Sequence, residues 1–291
     1  MGLRTMLAYS QAAKAYPLLA PVLLTVGIVL IIALLMSVAH SFWVQDFMEI
    51  QRSFTWDNYR SALSSPLYQK LFLRSIAISM SVTAIALVLA YPIAFFVAFH
   101  VRRAKLTWII VLTIPFWTSY LLRVFAWRNI LGYNGAINSG LMALGLIDKP
   151  LEFLLYNPIA IVITLVHAWM PFTILPLFVS LEKIDLSLVE AATDLGDGPA
   201  ARFVRVILPL SLPGVLASSL IIFIPTVGDF VTPILVGGPD GLMIGNAIAL
   251  QFGRGMNWPL GSTLSVCSMI LVALGSLLYL WLSKTVARKV A

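Results

Sequence analysis

Two charged side chains, Arg123 and Asp229, lie inside runs of this 291-residue sequence that are otherwise long and apolar enough to cross a bilayer. A charge at such a depth is costly, and it is kept for function or for pairing. Asp229 follows Pro225 and Gly228, which predict a break in the helix and irregular backbone turned toward a cavity, the setting in which a membrane tolerates it. A carboxylate there attracts a cation strongly, and aromatic faces add about 0.5–2 kcal/mol per cation–π contact. Asp229 is therefore the first residue expected to meet an ammonium group, with Trp117, Tyr120 and Trp169 along the same solute path. A structural role stays open beside this one, in which Asp229 pairs with Arg123 or caps a half-helix, and in which the aromatics only pack. Arg123 reads as a structural partner rather than a cation ligand.

The second chemically distinctive stretch is residues 190–209, EAATDLGDGPAARFVRVILP, polar and charged between two apolar runs. Asp185 or Ser187 can cap a short helix through Leu188, Glu190, Ala191 and Ala192. Gly196 is placed to end that helix in a left-handed conformation. Pro199 suits the first turn of a second short helix leading to Leu208 and Pro209. The paired alanines promise a smooth face that another protein can approach. Glu190 and Asp194, one turn apart, offer acceptors to a partner's basic residues. An ordinary solvated connection between helices is the plainer alternative.

No constellation for catalysis accompanies these residues. There is no phosphate-binding Gly-Lys loop, no HExxH, no Cys/His metal spacing and no Gly-x-Ser-x-Gly elbow. His40, His100 and His167 stand alone. Cys267, the single cysteine, lies in an apolar run, so no intrachain disulfide forms. The chain is expected to be non-catalytic, with no cofactor of its own and no metal site.

The elements that must hold these residues are membrane helices. Apolar residues make up 60% of the chain, charged residues 11%, and the mean hydropathy is +0.96, outside the range of soluble globular domains. The net charge of +7 is spread singly or in small groups at the edges of apolar runs, which suits membrane topology and lipid rather than nucleic acid. Six runs reach the roughly 20 residues needed to cross a bilayer: 16–40, 72–100, 107–127, 157–181, 208–233 and 261–283. The fold class is thus an all-α integral membrane protein, one domain over 1–291, with a connecting loop at 182–207. Counting about 1.5 Å per residue along these spans puts Arg123 about 24 Å and Asp229 about 30 Å from the loop side. Arg4 and Lys14, the dense group Arg102, Arg103 and Lys105, then Lys183, Arg202 and Arg205, and finally Lys284, Arg288 and Lys289 fall on one side. The positive-inside rule makes that side, and both termini, cytoplasmic. The first run exceeds the about 7–15 apolar residues of a signal peptide and reads as an uncleaved anchor, despite Ser37-Val38-Ala39. The segments 41–71, 128–156 and 234–260 read as outer loops, too short for domains, with aromatics suited to an interfacial belt or to docking a soluble partner.

The spacing Glu190-Ala191-Ala192, Gly196, Val206, Leu208-Pro209 resembles the cytoplasmic EAA loop of binding-protein-dependent ABC importer permeases, with Val206 where that family usually carries Ile. The resemblance extends over nearly the whole chain. Phe54-Thr55-Trp56-Asp57-Asn58-Tyr59, Pro115-Phe116-Trp117-Thr118, Gly228-Asp229-Phe230-Val231-Thr232-Pro233 and Asn257-Trp258-Pro259 are similar to the first-type permease of spermidine/putrescine importers. It implies the six-helix type I importer fold and a multi-pass place in the bacterial inner membrane. It implies coupling through Glu190, Ala191, Ala192, Asp194, Gly196, Leu208 and Pro209. It also implies a second permease subunit in a heterodimer, two ATPase subunits that hold ATP and Mg, and a periplasmic substrate-binding protein. Alternatives are a permease of the same class for an opine, an aminophosphonate or an inorganic anion, and an ion-coupled secondary carrier. A relay of ionisable residues at mid-depth would mark the last, and the sequence holds none.

Overall fold

The computed structural model describes the backbone of residues 3–47 and 49–290, and the side chains of 20–47, 49–114 and 116–281. The side chains of Arg4, Lys14, Pro115, Lys284, Arg288 and Lys289, named above, lie outside the described residues. The chain opens on α1 (Leu3–Ser41). A small antiparallel hairpin follows, β1 (Val44–Asp46) and β2 (Glu49–Gln51). The short α2 (Asp57–Ser64) then leads into the long α3 (Pro66–Phe99). Within the apolar stretch Ala20–Ser41 of α1, the most apolar 18-residue window buries none of its residues in the chain itself, and Ser41 at its end is buried. Its helix satisfies its own backbone polar groups, so lipid or another chain can cover its side chains without cost.

The third expected segment, 107–127, is not one helix. It is divided into α4 (Lys105–Thr113), a 3-10 turn (Ile114–Trp117) and α5 (Tyr120–Leu131), with a break at Thr118 and Ser119. Proline at the start of the 3-10 turn removes a donor from the helical ladder and tightens the chain. A short α6 (Ala136–Ala143) and the loop to Asn157 complete this region. Asn157 then caps α7 (Pro158–Glu182) by accepting from the amides of Ile159 and Ala160. Two short helices, α8 (Leu186–Asp194) and α9 (Pro199–Arg202), precede a π turn (Phe203–Ile207) and α10 (Leu208–Val227).

The outer segment 234–260 is also more ordered than a loop. A π turn (Pro233–Gly237) passes into α11 (Gly238–Gly241), and α12 (Ile244–Phe252) follows at a bend of 109°. Val236, Met243 and Ile244 are fully buried there. These apolar residues drive the segment back against α3, α7 and the last helix, α13 (Trp258–Val290). Among the described residues, five helices are long and apolar enough to cross a membrane, or six if the bent pair is one span.

Three apolar clusters hold the bundle. One joins α3, α5 and α7 around Val82, Val124 and Leu165. Another joins α3, α4 and α7 near the connecting loop, around Val97, Ile109 and Leu181. The third packs α2, α12 and α13 around Ala62, Ile244 and Leu264. Helices α7 and α10 touch most closely at Gly214, where an added Cβ would lie 2.5 Å from Ser180 Cβ and 2.8 Å from the Pro176 carbonyl. Small residues at such a crossing let backbones approach, which is how helices associate where lipid supplies no hydrophobic drive. The Gly214 amide donates to Ser180 Oγ at 3.2 Å, and Ser218 Oγ donates to the Thr173 carbonyl at 3.0 Å.

Candidate functional site

The first candidate site is the loop between α7 and α10. Asp185 caps α8, its carboxylate accepting from the Ser187 amide at 3.0 Å. That backbone donor holds the Asp185 carboxyl below its ordinary value, because the bond favours the charged form. At the other end Gly196 takes φ +88. Its amide donates to the Thr193 carbonyl at 2.9 Å and the Asp197 amide to the Ala192 carbonyl at 3.0 Å, the paired bonds of a Schellman closure. Pro199 opens α9, where its missing N–H costs nothing. Side chains then lock the two arms: Arg205 pairs with Asp197 at 2.7 Å, and Arg202 donates to Thr193 Oγ1 at 2.7 Å.

This hairpin sits on the bundle through Val189 and Phe203, which pack with α3 and α7 near Tyr91 and Leu181. Glu190, Ala191, Asp194 and Gly196 are exposed, whereas Ala192 is buried and Leu208 and Pro209 are half-buried at the start of α10. The paired alanines therefore do not form one free face. Successive helical residues diverge by about 100°, so when Ala192 packs inward Ala191 points out. The apolar tip is instead Leu195, 88% exposed, a contact that the spacing did not single out.

The second candidate site is where two helix breaks meet. Asp229 stands just past the end of α10 and, with Oδ1, accepts from the amides of Val231 at 3.0 Å and Thr232 at 3.4 Å. It thus caps the helical turn that restarts at Val231. Its Oδ2 accepts from the Tyr120 hydroxyl at 2.8 Å, and Tyr120 Oη lies 2.6 Å from Thr232 Oγ1. Tyr120 is the first residue of α5, just past the break at Thr118 and Ser119. Asn246 of α12 closes the far side, donating to the Phe230 carbonyl at 2.8 Å. Gly245 has no room for a side chain there, since a Cβ would lie 2.5 Å from the Gly228 carbonyl.

Of the two structural roles left open for Asp229, capping is present and pairing with Arg123 is not. The Arg123 guanidinium donates from Nη1 to the Phe116 carbonyl, spanning the break in its own segment. Its Nε is buried without a partner, as are His167 Nδ1 and Trp169 Nε1. Trp169 packs against the first apolar cluster and lies edge-on to Phe172 at 5.6 Å. Trp117 is 87% exposed at the break. The structure thus brings Tyr120 and Asp229 together but gives neither tryptophan a bond to them. Thr232 and Asn246 complete the junction and were not foreseen. The available signal was a Thr three residues after Asp229 and an Asn inside an apolar segment.

Comparison with known proteins gives the family and the fold. The model of the family "binding-protein-dependent transport system inner membrane component" matches residues 59–291. The spermidine/putrescine transport system permease protein PotB of Escherichia coli (strain K12) is 37% identical over 257 residues, covering 88% of this chain and 93% of that protein. Its Haemophilus influenzae counterpart is 39% identical over 238 residues, covering 81% of this chain and 82% of that one. Among solved structures, a chain of a bacterial alginate ABC transporter in complex with an alginate pentasaccharide-bound periplasmic protein superposes with a TM-score of 0.63 at 14% identity. It covers 98% of this chain and 96% of that chain. At that identity the likeness speaks for the fold alone, which is that of an importer permease with helices broken in the bundle.

Proposed function

The chain belongs to the family of binding-protein-dependent transport system inner membrane components, and we propose that it is the permease subunit through which an ATP-driven importer passes spermidine, putrescine or a related small organic cation. It is a multi-pass inner-membrane protein of the ABC importer permease class, and its part in transport is to form a path rather than to catalyse. The observation that carries the substrate reading is the 37% identity, over 88% of the chain, to a spermidine/putrescine permease. The half-buried Asp229 at the helix breaks supports it, since half-helix ends and unwound backbone that line a cavity are where transporters hold charged solutes.

The proposed assembly has this chain beside a second, different permease, with both termini and the 182–207 loop on the cytoplasmic side. Two ATPase subunits there hold ATP and Mg and grip the hairpin of Glu190, Asp194, Leu195 and Gly196. A periplasmic binding protein delivers the solute to the opposite face. ATP-driven closure of the ATPase pair pushes the hairpins, turns the two permeases and opens the cavity outward; hydrolysis resets it. The rigidity of the hairpin supports this role, because a push can be transmitted only by an element that does not fold away. The ammonium group of the solute is then taken by Asp229 in exchange for the Tyr120 hydroxyl.

The test is ATPase stimulation of the reconstituted complex by its loaded binding protein, with putrescine, spermidine, other organic cations and small anions compared. Stimulation by a polyamine is the expected result. Stimulation only by an anion overturns the cation reading and leaves the importer class in place.

A further inference from the structure

Lys105 and Glu182 each sit at the end of their own helix that its dipole disfavours. Lys105 is the first residue of α4, and Glu182 is the last of α7. A cation at a helix N-terminus and an anion at a C-terminus both work against the macrodipole. The turn before Lys105 adds to this cost, since Ala104 takes φ +57, a left-handed conformation that a side chain disfavours. What offsets these costs is not local. Lys105 Nζ donates to both carboxylate oxygens of Glu182, at 3.0 and 2.9 Å, and to the Ala98 carbonyl at 2.7 Å. That carbonyl is one of the last four of α3, which lack partners within their helix. One ammonium group therefore ties the start of the short α4 to the ends of the membrane helices α3 and α7. Its neighbours Arg102 and Arg103 are exposed, as a topology signal alone requires. The pair is partly exposed, and such a pair adds little to stability by itself.

Glu182 is also where the 182–207 loop begins. The apolar packing of Val189 and Phe203 joins that loop to α3, α7 and α10, and to α4 through Ile109 and Leu112. At α4 the polar tie is Lys105. From there α4 runs directly into the 3-10 turn, whose Phe116 carbonyl is held by Arg123, three residues along α5 from Tyr120. Tyr120 in turn holds Asp229.

We infer that the Lys105–Glu182 pair is a positioning link that carries movement of the coupling loop into α4, and so to the break where Tyr120 meets Asp229. This rests on the reading of residues 182–207 as the coupling loop. The chain of contacts is contiguous, and its parts are discrete bonds between rigid helix ends, the kind of element through which coupling travels.

The experiment uses the complete reconstituted transporter and reads the ratio of binding-protein-stimulated to unstimulated ATP hydrolysis, together with solute uptake. Lys105→Gln and Glu182→Gln are each expected to lower that ratio at least about fivefold. The double variant should be no worse than either single one, as two halves of one link require. Lys105→Arg keeps the charge and has donors enough for both Glu182 and the Ala98 carbonyl, so it is expected to hold the ratio to within about twofold. Glutamine singles that keep the wild-type ratio overturn the inference, as does a Lys105→Arg variant that assembles normally without holding it. Glu190→Lys separates the two readings. If that variant keeps full stimulation, the coupling-loop reading itself fails. If it loses stimulation while Lys105→Gln keeps it, only the link fails.

Discussion

The Tyr120 hydroxyl donates to Asp229 Oδ2 across 2.8 Å, joining the breaks of two membrane helices that lie 109 residues apart in the chain. Each break frees backbone groups that a bilayer cannot satisfy. The junction satisfies several of them at once: Asp229 takes the Val231 and Thr232 amides, Arg123 takes the Phe116 carbonyl, and Asn246 takes the Phe230 carbonyl. The Asp229 carboxylate keeps accepting capacity beyond these bonds.

Replacing Asp229 by Asn tests the charge while keeping the cap, since Asn caps helices about as well as Asp. Loss of a hydrogen bond to a charged group costs about 1.5–3 kcal/mol, roughly 10- to 150-fold. Cation uptake is expected to fall by that factor, with the protein still inserted and assembled. Tyr120→Phe leaves the carboxylate and its backbone donors in place, and its effect is expected to be smaller, roughly 2- to 10-fold. Uptake assays on both variants decide this; an unchanged polyamine flux in Asp229→Asn removes Asp229 from the solute path.

Gly196→Pro is expected to abolish coupling. Proline fixes φ near −65°, against +88 here, and it deletes the amide that donates to Thr193. Glu190→Lys is expected to do the same by reversing the charge of an exposed position on α8. Membrane insertion should survive both changes, because neither touches a span. Normal solute-stimulated ATP hydrolysis in either complex contradicts the coupling role.

Gly214→Ala places a methyl group 2.5 Å from Ser180 Cβ. Overpacking of this kind costs about 1–3 kcal/mol, so the purified protein should unfold at a lower temperature than the wild type. Gly275→Ala is the control, since a Cβ there meets nothing within 4 Å, and its thermal transition is expected to stay put.

The Asp185 cap makes the start of α8 sensitive to acid. Its folded carboxyl lies below the ordinary value, so its contribution is present above the unfolded value and is lost as pH falls through the folded one. Protection of the Ser187 amide against exchange, relative to an unfolded amide at the same pH, should therefore fall in acid below the usual aspartate range. Asp185→Asn, which caps without titrating, should remove that dependence.

Much of this was written locally. The cap at Asp185, the left-handed Gly196, the first-turn Pro199 and the bounds of α7 each depend on residues within a few positions of one another, and the backbone answers such signals directly. Hydropathy likewise placed Asp229 and Arg123 inside the apolar runs, because any span must exclude charge that has no use. The break at Thr118 and Ser119 was not visible, because hydropathy counts apolar residues and is blind to whether their helix is continuous. The burial of 234–260 was missed for the opposite reason: turn residues there read as a loop, while Val236, Met243 and Ile244 find their partners on α3, α7 and α13. Ala191 and Ala192, adjacent in sequence, part company once α8 docks, the first exposed and the second buried. Sequence by itself thus determined the family motif, the local caps and the place of each charge within an apolar run. Tertiary structure alone decided that Asp229 meets Tyr120 rather than Arg123, and that Lys105 turns inward to Glu182. Such pairs bring together residues 109 and 77 positions apart, and only the packing of whole helices fixes which polar groups will share a site.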